Sequence, residues 1–135
     1  MSLERFVEAQ ANVYARALAE LKAGRKQSHW MWFVFPQIAG LGHSAMARNY
    51  AIPDLAEAHA YLAHPLLGTR LRECTQAVLD VKGKTAHEIF GSPDDIKFRS
   101  SMTLFDLASP NDMFHTALEN YFSGEPDPLT LQELR

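Results

Sequence analysis

Two stretches of this 135-residue chain hold side chains that could do chemistry together. The first, Lys26 to Ser44, sets Trp30 and Trp32 beside His29, with Gln37 and Ser44 further along. An indole is rarely buried completely, and its N–H wants an acceptor. Two of them next to a histidine make either a corner of the core or an aromatic wall for a flat ligand. The second stretch is Asp95-Ile96-Lys97-Phe98-Arg99-Ser100-Ser101-Met102-Thr103-Leu104-Phe105-Asp106. On a helix, Lys97 and Ser101 stand one turn apart and can face one ligand together. Ser100, Ser101 and Thr103 lie among apolar residues and need partners if buried. They can equally bond the carbonyls one turn back, leaving Lys97 in water.

As a binding site, Trp30 or Trp32 would supply a stacking face, and Lys26 and Lys97 positive charge. Gln37, Ser44, Ser100, Ser101 and Thr103 would supply hydrogen bonds, and helix starts at Ser44 or Ser92 backbone donors for an anion. His29 is the one group among them whose reference pKa lies near neutrality, so a catalytic reading makes it the acid/base, with Asp95 orienting it. Either reading requires segments 26–44 and 95–105 to converge on one cleft.

Other chemistries lack their residues. His59 and His64 are five apart with Pro65 adjacent, not the spacing near four that puts two ligands on one helical face, and we expect no metal site. Gly40-Leu41-Gly42 has no following Gly-Lys-Ser/Thr and reads as a turn, not a phosphate loop. No Gly-x-Ser-x-Gly elbow is present. The single cysteine, Cys74, excludes an internal disulfide and lies on an apolar stripe, where it reads as a small buried hydrophobe. No cofactor is indicated.

The elements that must hold these residues all read as helical. Phe6, Ala9, Val13, Ala17 and Leu21 recur at helical spacing, predicting one helix over about Leu3 to Ala23, capped by Ser2 and stopped by Gly24. The apolar run Trp30 to Phe35 fits a short helix better than a strand, because Ser28 can cap it and Pro36 ends it. Residues 38–43 read as a loop. Ser44 and Asp54 cap the next two helices, and Pro65 opens one that runs to about Val81. Thr85-Ala86-His87-Glu88 spells a capping box closed by Gly91. Ser92-Pro93 and Ser109-Pro110 open helices to about Leu107 and Phe122, and a last short one follows Asp127-Pro128. No hairpin turn or sustained alternation appears. The expectation is an all-α single domain, residues 1–135, of about seven or eight short to medium helices and no sheet.

Composition agrees. With 47% hydrophobic residues the chain can build a core unaided, and 8 Phe, 4 Tyr and 2 Trp are not the profile of a disordered protein. The net charge of -3 gives no global basic field, which argues against nucleic acid as a partner. Residues 1–50 hold six Lys/Arg against three Asp/Glu, whereas residues 51–135 hold seven against thirteen. This asymmetry is compatible with an anion-tolerant site in the first half, and equally with chance. The charged start is no signal peptide and no run approaches the ~20 residues of a membrane span, so a soluble cytoplasmic protein is expected.

Several phrases together resemble a known family. They are Arg5-Phe6…Ala9-Gln10; Lys26…Ser28-His29-Trp30-Met31-Trp32-Phe33…Phe35-Pro36-Gln37; Gly40-Leu41-Gly42…Ser44; and Tyr61-Leu62…His64-Pro65-Leu66-Leu67-Gly68. Gly91…Asp94-Asp95…Lys97…Ser100-Ser101…Thr103-Leu104-Phe105 and Asp127…Thr130 complete the set. In these, almost over its whole length, the chain resembles the bacterial and fungal proteins grouped as domain of unknown function 1810. The resemblance implies a small all-α fold and no established activity. It also singles out Lys26, His29, Gln37, Ser44, Asp95, Lys97, Ser100, Ser101 and Thr103 beside the core positions, which favours a site over packing alone.

Three readings follow. The chain holds a pocket for a small polar or anionic, nucleotide-like ligand; or it is a non-catalytic interaction module, a homodimer in its simplest form, with Trp30, Trp32 and Phe35 exposed as an apolar patch; or it is a structural helical domain whose marked residues are caps and satisfied core polar groups.

Overall fold

The computed structural model describes residues 2–135. Ten helices form among them: α1 (Glu4–Gln10), α2 (Tyr14–Lys22), α3 (Met31–Val34), α4 (Ala45–Asn49), α5 (Leu55–Ala63), α6 (Leu67–Leu79), α7 (Ala86–Phe90), α8 (Asp94–Ala108), α9 (Met113–Phe122) and α10 (Pro128–Glu133). Six have seven residues or more, and no sheet forms among the described residues. The fold is all-α, as expected, with more elements because several are one or two turns long.

Local chemistry starts many of these helices. Ser44 accepts from the Ala47 amide at 3.1 Å and Asp54 from the Glu57 amide at 2.8 Å. Thr85 and Glu88 make a reciprocal capping box, at 3.1 and 2.8 Å. Gly24, at φ +75°, ends α2: its amide bonds the Leu21 carbonyl while the Arg25 amide reaches the Glu20 carbonyl. His64 starts α6 by an unforeseen route, its Nδ1 accepting from the Leu66 and Leu67 amides at 3.1 Å each.

Four expected starts are displaced. Ser2 and Ser28 cap nothing; Leu3 and Trp30 hold the cap positions without side-chain bonds. Ser92 lies too early, since α8 begins at Asp94 after Pro93. At α9 the cap is Asp112, which accepts from the Met113 amide and from the Ser109 hydroxyl.

The single first helix expected over 3–23 is two helices. A turn at 11–13 lets α1 pack on α3 and α2 on α6. Its anchor is buried Gln10, whose amide donates to the Phe33 carbonyl at 2.7 Å and to the Tyr61 hydroxyl at 3.1 Å. A buried amide left unpaired would cost about 1–3 kcal/mol, so these bonds outweigh the continuity of one turn of helix.

One contiguous core joins the helices. At its centre Phe35 meets Phe98 edge-on at 5.1 Å, and Phe90 stacks on Phe98 at 4.6 Å. Such aromatic pairs add about 0.5–1.5 kcal/mol each beyond area burial. Helices α5 and α6 approach closely at Gly68, where an added Cβ would stand 2.1 Å from the Leu62 carbonyl oxygen. Between α3 and α5 the chain makes a clasped excursion. Ile38 and Ile52 form an isolated parallel bridge, with the Ala39 amide bonding the Ile52 carbonyl (2.9 Å) and the Ile52 amide the Gln37 carbonyl (2.8 Å). Arg5 supports its far end, reaching the Asn49 and Ala51 carbonyls at 3.0 and 2.8 Å and Glu57 at 2.9 Å.

Candidate functional site

The clasped excursion forms one wall of a cavity of about 330 Å³. Gln37, Leu41, His43, Ser44 and Tyr50 line it from the excursion, and Trp32 from α3. Pro93, Ile96, Lys97 and Ser100 line it from the start of α8, and Asp127 and Leu129 from the start of α10. Of the residues singled out in the sequence, Trp32, Gln37, Ser44, Lys97 and Ser100 share this space. The two stretches do converge, through these members.

Lys97 lies with its ammonium 5.0 Å from the centre of the Trp32 ring, a cation–π distance. Its carboxylate neighbour Asp94 is shared: Oδ2 is 2.8 Å from Lys26 Nζ, whereas Oδ1 is 3.8 Å from Lys97 Nζ. One carboxylate serves two ammonium groups, and the closer pairing goes to Lys26. Lys97, which borders the cavity, is therefore the less closely paired of the two.

The other expected residues stand elsewhere. Lys26 has a side chain only 7% exposed, donates to the Ser28 carbonyl at 2.6 Å and acts as a structural cation. Trp30 is 1% exposed, and its indole donates to Glu20 at 2.9 Å. It belongs to the core, as does Phe35, so the expected exposed patch of Trp30, Trp32 and Phe35 does not form. His29 is exposed, and no His29–Asp95 bond forms among the described residues; Asp95, on the first turn of α8, lies 3.4 Å from His87 of α7 instead. The proposed catalytic pair is thus not assembled.

Thr103 donates to the Arg99 carbonyl at 2.8 Å and accepts from the Asp127 amide at 2.9 Å, so it fixes backbone next to the cavity. Ser101 points into the core, and its hydroxyl is the one buried side-chain polar atom without a partner among the described residues.

Two acidic residues hold this region together in ways the sequence did not show. Glu20 of α2 accepts from the Gln27 and Ser28 amides, the Ser28 hydroxyl and the Trp30 indole, at 2.6 to 3.0 Å. Burial pushes its carboxyl up, but these donors, the Ser28 hydroxyl foremost, outweigh burial and hold it at about 2. This cluster fixes the entry to α3 and hence Trp32. Asp127 was legible as a helix cap, and the structure adds more. Its Oδ2 accepts from the Ser100 hydroxyl (3.0 Å), the Thr130 amide (3.1 Å) and the Thr130 hydroxyl, while the residue also lines the cavity. The available signal was Ser100 and Thr103 three apart on one strip of α8, both meeting Asp127.

Elsewhere, Cys74 is fully buried, and burial pushes its thiol up to about 12, which removes it as a nucleophile. Among the described residues no three His, Cys, Asp or Glu side chains cluster so as to hold a metal ion. No helix is long and apolar enough to cross a membrane.

Comparison with known proteins adds a relative of similarly open function. The fold matches the crystal structure of the conserved hypothetical protein Rv1873 from Mycobacterium tuberculosis with a TM-score of 0.96, at 54% identity, over 98% of this chain and 95% of that one. No curated protein matches the chain. The model of the family described as "Protein of unknown function (DUF1810)" matches residues 1–134, and the chain belongs to that family.

Proposed function

We propose that this protein binds a small polar ligand, through an anionic group, in the cavity between the clasped excursion and the start of α8. The observation that carries this is Lys97: an ammonium on the cavity wall, close to the Trp32 ring, whose one carboxylate neighbour is already held more closely by Lys26. Around it stand Gln37 and Ser44 as hydrogen-bonding groups and Tyr50 as a second aromatic wall. A cavity of about 330 Å³ with a mostly apolar lining and a few polar groups suits a small organic molecule. The contiguous core supports one domain as the acting unit. Binding, without catalysis, is the favoured activity, since the acid/base pair expected at His29 and Asp95 is not assembled.

The test is a thermal-melt screen against nucleotides, nucleosides, sugar phosphates and small carboxylates, with wild type and Lys97→Ala in parallel. A ligand at 100 times its Kd adds roughly 2.7 kcal/mol, enough to raise Tm by several degrees in a domain of this size. An anionic ligand should shift wild type and not Lys97→Ala, whose own Tm stays close to wild type. A shift that survives Lys97→Ala undiminished would refute the placement.

A further inference from the structure

The cavity holds a second charge that the binding reading above leaves unused. Asp127 is 6% exposed, and all the hydrogen bonds its side chain accepts end on Oδ2. Oδ1 accepts none among the described residues, and no Lys, Arg or His lies within ion-pair distance of either oxygen. Oδ1 is also not among the side-chain atoms sealed from solvent without a partner, a condition met by Ser101 Oγ alone. Asp127 thus brings to the cavity wall a carboxylate with one oxygen that, among the described residues, takes no hydrogen bond and has no cation within ion-pair distance. Such a group is costly unless a donor meets it, and a cationic N–H donor meets it best.

Its position relative to Lys97 narrows the ligand. Lys97 and Ser100 are neighbours across one turn of α8, and the Ser100 hydroxyl is 3.0 Å from Asp127 Oδ2. Lys97 and Asp127 thus border the same cavity, Asp127 being held by the residue that lies one turn along α8 from Lys97. Beside them, Ile96 (58% exposed) and Leu129 (59% exposed) line the same cavity. Large apolar side chains this exposed, flanking an opposed charge pair, suit an apolar substituent on the ligand.

We infer that the ligand is a small zwitterion of amino-acid type, with its N–H cation on Asp127 Oδ1, its anionic group on Lys97 and an apolar substituent between Ile96 and Leu129. The inference rests on the cavity being a binding site. Asp127 then acts twice: Oδ2 starts α10 while Oδ1 selects the ligand.

Three matched sets of probes test it by calorimetric titration: L-leucine, L-phenylalanine and L-valine, each with its des-amino carboxylate and its decarboxylated amine. At least one amino acid should bind, and both of its truncated partners should bind about tenfold more weakly or worse, as loss of a charge-assisted hydrogen bond requires. Asp127→Asn keeps a good capping residue, so it should fold with a similar Tm while losing affinity by a comparable factor. Were the variant not to fold, the matched series on the wild type would still decide. Des-amino carboxylates binding as well as the amino acids would overturn the zwitterion and leave the cavity standing. No binding by any amino acid overturns this inference; the cavity reading is judged separately, by whether the anionic panel shifts the Tm of wild type and not of Lys97→Ala.

Discussion

Replacing Glu20 with glutamine should destabilise the protein at neutral pH by an amount that vanishes in acid. The Glu20 carboxylate accepts four hydrogen bonds, from the Gln27 and Ser28 amides, the Ser28 hydroxyl and the Trp30 indole. The fall of its pKa from 4.5 to about 2 sets a ceiling of about 3 kcal/mol, at about 1.36 kcal/mol per pH unit. Because Glu20 is only partly buried, solvent screening brings the expected contribution to about 1–2 kcal/mol. A folded pKa below the unfolded one stabilises fully above the unfolded value, and the gain drains away as pH falls from about 4.5 towards 2. Glutamine keeps the shape but carries no charge and turns an N–H₂ towards donors. The assay is urea unfolding of wild type and Glu20→Gln at pH 7, 5 and 3, followed by tryptophan fluorescence. The stability gap should be largest at pH 7 and shrink clearly by pH 3. An equal gap at every pH, or none at pH 7, would refute the assigned role.

Two other outcomes follow from packing. Gly68→Ala would place a methyl 2.1 Å from the Leu62 carbonyl oxygen, which belongs to backbone and cannot rotate away. Despite the better helix propensity of alanine, the variant should lose about 1–3 kcal/mol in chemical denaturation, and unchanged stability would contradict the close approach of α5 and α6. The Cys74 thiol, buried and pushed up to about 12, should react with iodoacetamide far more slowly in the native protein than in urea; equal rates would show that the site opens freely.

Local rules were legible wherever the chemistry is local. The caps at Ser44, Asp54 and Thr85 depend on a side chain and an amide three residues on, and the sequence contains both partners. The break at 11–13 contains neither glycine nor proline; it comes from Gln10 meeting Phe33 and Tyr61, which only the folded chain brings near. The two tryptophans illustrate the same limit. Nothing in their own spacing says which turns inward; Glu20, on another helix, draws in Trp30 and leaves Trp32 to the cavity. Lys26 and Lys97 look alike in sequence, yet the shared Asp94 makes one a structural ion and leaves the other charged towards the cavity. For Asp127 the sequence shows one oxygen's task, capping, whereas the second oxygen's surroundings come from α8 and α10 together.

The two backbone bonds that tie Ile38 to Ile52 bear on how such a protein can change. Because they close the excursion at its base, the ends of residues 40–51 stay together whatever lies between. Doubling the length of a closed loop costs only about 0.6 kcal/mol in entropy. Insertions between Leu41 and Ser44 should therefore be borne by the fold while reshaping one wall of the cavity. The shape of the cavity would then drift among relatives by changes in loop length, with the aromatic core around Phe98 left intact.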